Sequence, residues 1–286
     1  MAKTVGKLMR LPLLVLVGIL VLAACTPSEA EPEIIADVRL RLESGFQIKL
    51  PAGAGPHPVV LVFHAASDRS WQPAYAKILN GFVKEGFAAV FVDMYRGRGI
   101  NGADVRRGAL LPRAAAGDLL VAVDWVREQP WADPDKVGLF GISFGAATIM
   151  DAMVLVAPGK TPTSLISKPA NGLAGVQAAA LLSPWCAEDV FGFTMLRAVR
   201  EDFSPRVPVL ALLPRADAIS DQALCLEILE RNKANGASIE VVEYESAGHT
   251  FAQPRDDYGN PFPDYDKKLA DDAFRRIYAF LTERLG

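Results

Sequence analysis

Val137-Gly138-Leu139-Phe140-Gly141-Ile142-Ser143-Phe144-Gly145 is the stretch on which the fold turns. Lys136 to Gly141 is too short for a helix, and its apolar run Val137 to Phe140 follows the charged pair Asp135-Lys136, which predicts a strand buried on both faces. From Ala146 to Val156 the apolar residues fill a helix. Between strand and helix stands Gly141-x-Ser143-x-Gly145. A serine held on so sharp a strand-to-helix turn requires glycine two residues away on either side, because side chains there strike the neighbouring strand and helix. The turn lifts the hydroxyl to the edge of the sheet, near the positive end of the next helix. Without a base it is only a tight turn, so the rest of the chain must supply the partners.

Working outward, strands and helices alternate. Ala36 to Glu43 and Phe46 to Leu50, separated by Ser44-Gly45, predict an opening hairpin. Pro58 to Phe63 and Phe87 to Val92 read as buried strands, and Tyr75, Ile78, Leu79, Phe82 and Val83 between them as a helix ended by Gly86. Ala115 to Val126 is a helix, and Pro158 to Gly172, rich in Pro, Ser and Thr, a surface loop. Val176 to Ser183, Val207 to Leu213 and Ile239 to Tyr244 are further strands. Ser220 is placed to cap a helix running to about Ala234, and a last helix covers roughly Asp264 to Arg284. Repeated strand–helix units imply right-handed crossovers: an α/β fold, three layers deep, around a doubly wound and mostly parallel sheet that binds ligands at its carboxyl edge.

The chain has three histidines. His57 lies in a turn before a strand and reads as a solvated loop residue; His64 ends a strand; His249 follows the last strand. Only His249 comes after the serine, so it alone fits the order serine, acid, histidine. The acid should hold the far nitrogen of the imidazole. Asp217, just past the strand Val207 to Leu213, sits at the right edge; Asp221 is the reserve, and Asp202 lies on the wrong side of its strand. Two backbone donors are needed for an oxyanion, and the N–H groups of Phe144 and Ala65 are the expected ones. His64 is expected to shape the Ala65 loop. No His, Cys or carboxylate set has metal-ligand spacing, so neither metal nor other cofactor is expected.

The beginning of the chain is a different material. Lys3, Lys7 and Arg10 precede the apolar run Leu11 to Leu22, which ends in Ala23-Ala24-Cys25. That is the build of a secretory signal, and the run is short for a membrane span of about 20 residues. Leu22-Ala23-Ala24-Cys25 resembles a bacterial lipobox, which implies removal of residues 1–24, lipid on Cys25, a polar tether over 25–33 and one domain from 34 to 286 in the cell envelope. Of the 286 residues 51% are hydrophobic and 22% charged, with a net charge of −3 and no basic face, which excludes disorder and argues against a nucleic-acid partner. Cys186 and Cys225 remain; exported, they suggest a disulfide closing a loop of about 40 residues, roughly 4 kcal/mol in the chain-entropy model. Two buried free thiols are the other reading.

Together these residues resemble the dienelactone hydrolase family of α/β hydrolases, from about Ile34 to Leu285. The resemblance rests on Val90-Phe91-Val92-Asp93-Met94-Tyr95-Arg96-Gly97-Arg98-Gly99, on Asp118 to Gly145, on Leu212-Leu213-Pro214-Arg215-Ala216-Asp217 and on Ala247-Gly248-His249-Thr250-Phe251. It implies a hydrolase of small or medium esters or lactones, with Ser143, Asp217 and His249 catalytic, and it favours the Cys186–Cys225 bridge; the rival readings are a peptidase of the prolyl-oligopeptidase type and a non-catalytic envelope lipoprotein with a hydrolase shell. The family's namesake has a cysteine nucleophile and a glutamate where this chain has Ser143 and His64. Its carboxylate-binding arginine is matched only loosely, by Arg96 or Arg98. Those two and His64 are the expected substrate contacts.

Overall fold

The computed structural model describes residues 31–190, 193–200 and 202–286. The lipobox with Cys25 and most of the expected tether lie outside these residues.

Seven strands form one sheet: β1 (Gln47–Lys49), β2 (His57–Phe63), β3 (Ala88–Val92), β4 (Ala132–Ile142), β5 (Val176–Leu182), β8 (Val209–Pro214) and β9 (Ile239–Tyr244). Their spatial order is β1-β3-β2-β4-β5-β8-β9, with every pairing parallel except β1 with β3. A small antiparallel hairpin, β6 (Ala187–Val190) with β7 (Phe193–Arg197), stands apart. Alternate residues of the central strands feed two cores. Val59, Leu61 and Phe63 meet helices α1 (Ile35–Glu43), α4 (Pro112–Arg127), α5 (Phe144–Leu155) and α6 (Gln222–Ala234); Val60 and Val62 meet α2 (Pro73–Lys84) and α7 (Lys267–Leu285). Strands buried on both faces need apolar residues at every position, which is why β2 and β3 carry unbroken runs. This is the α/β-hydrolase architecture, and β4 with α5 lies at its centre.

Three expectations fail. The opening hairpin is instead α1 followed by β1: Val38 and Leu42, four apart, are buried, while Leu40 between them is 72% exposed, so the period is helical. Short as it is, α1 is held by Arg41, which reaches the buried Asp118 of α4 and also pairs with Glu33 at 2.9 Å. Ser220 does not cap α6; Asp221 does, its side chain accepting from the N–H groups of Ala223 and Leu224. The segment from Pro158 to Gly172 is not purely a surface loop. Ser164 and Leu165 are buried against α4, and Glu33 forms a parallel bridge with Leu165 through Glu33 N–H to Ser164 O (2.8 Å) and Ile166 N–H to Glu33 O (3.0 Å). A 3-10 turn at Arg96–Arg98 and the five-residue helix α3 (Gly102–Arg106) follow β3.

Candidate active site

Ser143 is the turn between β4 and α5, with φ +52° and ψ −111°, in a region that L side chains rarely adopt. Its neighbours explain how the turn holds. A Cβ on Gly141 would stand 2.6 Å from the amide of Ala146, and one on Gly145 would stand 2.3 Å from the carbonyl of Phe63. Three hydrogen bonds pin the serine backbone: its N–H donates to Leu182 O (2.9 Å), and its carbonyl accepts from Ala147 N–H (3.0 Å) and Trp185 N–H (3.2 Å). Phe144 is the first residue of α5, so its N–H is one of the amides without a partner inside the helix.

The three residues expected to act together converge. His249 Nε2 lies 2.8 Å from Ser143 Oγ, and His249 Nδ1 lies 2.7 Å from Asp217 Oδ2. Since the carboxylate accepts at Nδ1, Nε2 is left to take a proton from the serine. Asp217 is fixed by the loop after β8: Oδ1 accepts from the amides of Ile219 (2.8 Å) and Ser220 (3.0 Å), while Oδ2 also accepts from Gln222 Nε2 (2.8 Å). Asp221, the reserve acid, is spent as the helix cap. Ser143 and His249 open into a cleft of about 300 Å³, walled by Ala66, Val105, Trp185, Ile219, Asp257 and Phe262 among others.

Four expected site residues are placed elsewhere or otherwise engaged. The N–H of Ala65 donates to the hydroxyl of the buried Tyr75 at 2.9 Å, so in this arrangement it is not a free oxyanion donor. His64 is fully buried and makes no wall of the cleft. Its Nε2 accepts from Met94 N–H (3.1 Å), which places the ring proton on Nδ1, facing Ala65 O at 2.9 Å. Burial depresses the basicity of this imidazole, against the pull of the Ala65 carbonyl and of Asp93 and Asp118. It therefore shapes the loop and is not a substrate contact. Arg98 turns inward, donating to Met94 O (3.0 Å) and pairing with Asp118. Arg96 is exposed and does not line the cleft. Burial alone would push the carboxyl of Asp118 up; the charges and hydrogen bonds of Arg98 and Arg41 outweigh that and hold it below its ordinary value. The two arginines thus serve or flank a buried ion cluster and a loop, not a substrate carboxylate. Among the described residues no three His, Cys, Asp or Glu side chains are grouped so as to hold a metal.

Sequence reasoning missed Gln222, Trp185 and Tyr75. Each acts through a partner distant in the chain: Gln222 also donates to Pro184 O at 3.0 Å. Only the position of Trp185, directly after β5 and beside Cys186, hinted at the sheet edge. Cys186 and Cys225 form a disulfide, Cα to Cα 5.6 Å, linking the segment after β5 to α6.

Comparison with known proteins agrees with this architecture. Residues 43–167 match the model of the X-Pro dipeptidyl-peptidase (S15) family and residues 172–285 that of the dienelactone hydrolase family. Two curated relatives, each an uncharacterized 31.7 kDa protein of the traX-finO intergenic region of Escherichia coli, are 29% identical over 120 residues. The match spans 41% of this chain and 40% of theirs. Among solved structures, a candidate dienelactone hydrolase from Klebsiella pneumoniae superposes with a TM-score of 0.62 at 18% identity, over 83% of this chain and 92% of that one. Esterase 2 of Thermogutta terrifontis, phosphonylated by sarin, gives 0.62 at 19% identity over 90% and 96%; its propionate-bound form gives 0.61 at 20% over 83% and 88%. The solved structures share this fold along nearly the whole chain, and residues 172–285 match the dienelactone hydrolase model: the chain has the α/β-hydrolase fold and is similar to the dienelactone hydrolases over its C-terminal part.

Proposed function

We propose that the chain hydrolyses small or medium carboxylic esters or lactones through an acyl-enzyme on Ser143. The observation that carries this reading is the unbroken line of hydrogen bonds from Ser143 Oγ through His249 to Asp217, with Ser143 and His249 opening into one cleft. His249 Nε2 takes the hydroxyl proton as Oγ attacks the carbonyl carbon. The tetrahedral oxyanion faces the N–H of Phe144, at the positive end of α5, while Asp217 stabilises the imidazolium. As the intermediate collapses, the proton passes to the leaving alkoxide. Water, deprotonated by the same imidazole, then frees the acid. The second oxyanion amide, Ala65, becomes available only when the Tyr75 hydroxyl gives it up.

The test is direct. Ser143→Ala should lower ester turnover by at least about 10⁴-fold and leave the thermal midpoint nearly unchanged. A fluorophosphonate probe should add one adduct to the wild type, seen by intact mass, and none to the mutant. Retained turnover in Ser143→Ala excludes the scheme.

The match of residues 43–167 to a dipeptidyl-peptidase family favours a second reading, cleavage of X-Pro peptides. Faster release of p-nitroaniline from an X-Pro anilide than of p-nitrophenol from a butyrate ester would select it. We also read Cys25 as the lipidated first residue of the mature chain; an alkyne fatty acid should label the wild type and not Cys25→Ala.

A further inference from the structure

The cleft that opens at Ser143 is unevenly charged. Three carboxylates line it, Asp68, Asp256 and Asp257, against one lining cation, Arg106, and Arg69 at the mouth. Arg106 is already committed, to Asp68 Oδ1 at 2.6 Å and to the Ala66 carbonyl at 2.7 Å. Asp256 is likewise spent, accepting from the amides of Tyr258 and Asn260 and from the Asn260 side chain. Asp257 is not. Its Oδ2 accepts from Arg69 N–H at 3.2 Å, but its Oδ1 is buried with no hydrogen-bond partner. A second unmet group lies behind the wall: Trp185, 6% exposed and lining the cleft with Ser143, has a buried indole N–H with no partner. Aromatic faces complete the mouth, Tyr258 and Phe262. Arg69 lies over the Tyr258 ring with its guanidinium carbon 5.8 Å from the centroid, which shows that this ring already attracts a cation. The arginines that could have held a carboxylate, Arg96 and Arg98, are elsewhere.

We infer that the cleft selects esters bearing an ammonium group, with the cation between Asp257 and the aromatic mouth and the scissile ester beside Ser143. Esters bearing a carboxylate are selected against. The inference rests on Ser143 being the nucleophile. An ammonium supplies what Asp257 lacks, a counter-charge in a place partly withdrawn from water. Burial pushes the Asp257 carboxyl above its usual range, with Asp68 and Asp256 adding to the effect against the amides that it accepts from. A bound cation reverses that push.

The test compares three butyrate esters of similar size on the full-length protein: choline butyrate, its neutral isostere 3,3-dimethylbutyl butyrate, and the butyrate ester of 4-hydroxybutyric acid. At low ionic strength kcat/KM should favour the cationic ester over the neutral one by about tenfold, with the anionic ester slowest, and 0.5 M salt should shrink the spread. In Asp257→Asn the ratio of cationic to neutral should fall to about one. Equal rates, or a preference for the neutral or anionic ester, overturn the inference, as does a preference that survives Asp257→Asn. If no ester is cleaved while a fluorophosphonate still labels Ser143, this inference alone falls. If Ser143 is also unlabelled, the nucleophile reading falls with it.

Discussion

Gly145 shows how narrowly the candidate nucleophile is placed. A methyl group there meets the carbonyls of Phe63 and His64 at 2.3 and 2.9 Å, both backbone atoms of β2 and its loop, which cannot swing aside as a side chain could. Gly145→Ala should therefore cost about 1–3 kcal/mol of stability and reduce ester turnover more than stability alone explains, measured by denaturant melts beside kcat. Asp217→Asn tests the other end of the relay. The asparagine can present an N–H where the imidazole offers one too, so the ring is driven to the wrong tautomer, and kcat should fall by roughly 10⁴-fold with the fold intact by circular dichroism. These residues were legible because their order, spacing and places at strand ends are properties of the chain itself. The contrast between Asp217 and Asp221 was legible only in part. Both acids follow the same strand, and what separates them is that Asp221 turns its carboxylate onto the amides of α6 while Asp217 faces His249. That Tyr75 engages the Ala65 amide was not legible, because Tyr75 lies ten residues on, in α2.

At the scale of elements, two buried carboxylates on neighbouring helices make opposite contributions. Asp118 of α4 stands between Arg41 and Arg98, which keep it charged. Removing it in Asp118→Ala should destabilise by about 3–5 kcal/mol, because two guanidinium groups are left without a counter-charge. Since its folded pKa lies below the ordinary 3.8, its stabilisation is complete above that pH and is lost only as acid falls through the lower value. Asp151 of α5 is the reverse case. Burial raises its pKa to about 7, partly offset by the amide of Arg200 and by the charges of Arg200 and Arg113, and its Oδ1 has no partner. The folded state therefore favours its protonated form, and stability on its account drains away between pH 3.8 and about 7. Asp151→Asn should match the wild type at pH 4 and melt higher at pH 8, by at most about 4 kcal/mol; equal melting at pH 8 would refute this. The helices α2, α4 and α7 could be read from their periods, and the strands β2 to β5, β8 and β9 from apolar runs between turn signals. The short pieces could not. In α1 the alternation of Val38, Leu40 and Leu42 with arginines imitates a strand, and the true period appears only once Arg41 is seen reaching α4.

For the whole molecule, composition gave the class, and repeated strand–helix units gave a doubly wound sheet. The spatial order of the strands and the separate β6–β7 hairpin depend on contacts between distant segments and carry no local signature. The cysteines left two readings open, and their bridge ties the wall that bears Trp185 to the helix behind the acid loop. Replacing both in Cys186→Ala/Cys225→Ala should lower the thermal midpoint, with a loss of up to about 4 kcal/mol for a bridge spanning 39 positions, and added reductant should do the same to the wild type alone. The attachment of Glu33 bears on a different property of the molecule, its response to tension. Its two backbone bonds to residues 164 and 166 and its ion pair with Arg41 are, among the described residues, the first contacts that a pull on the start of the chain meets. Running parallel to the 165 segment, they meet that load in shear, all at once and not one after another. Among the described residues, a load applied at the leading end thus meets residue 33 before it reaches the sheet that carries Ser143.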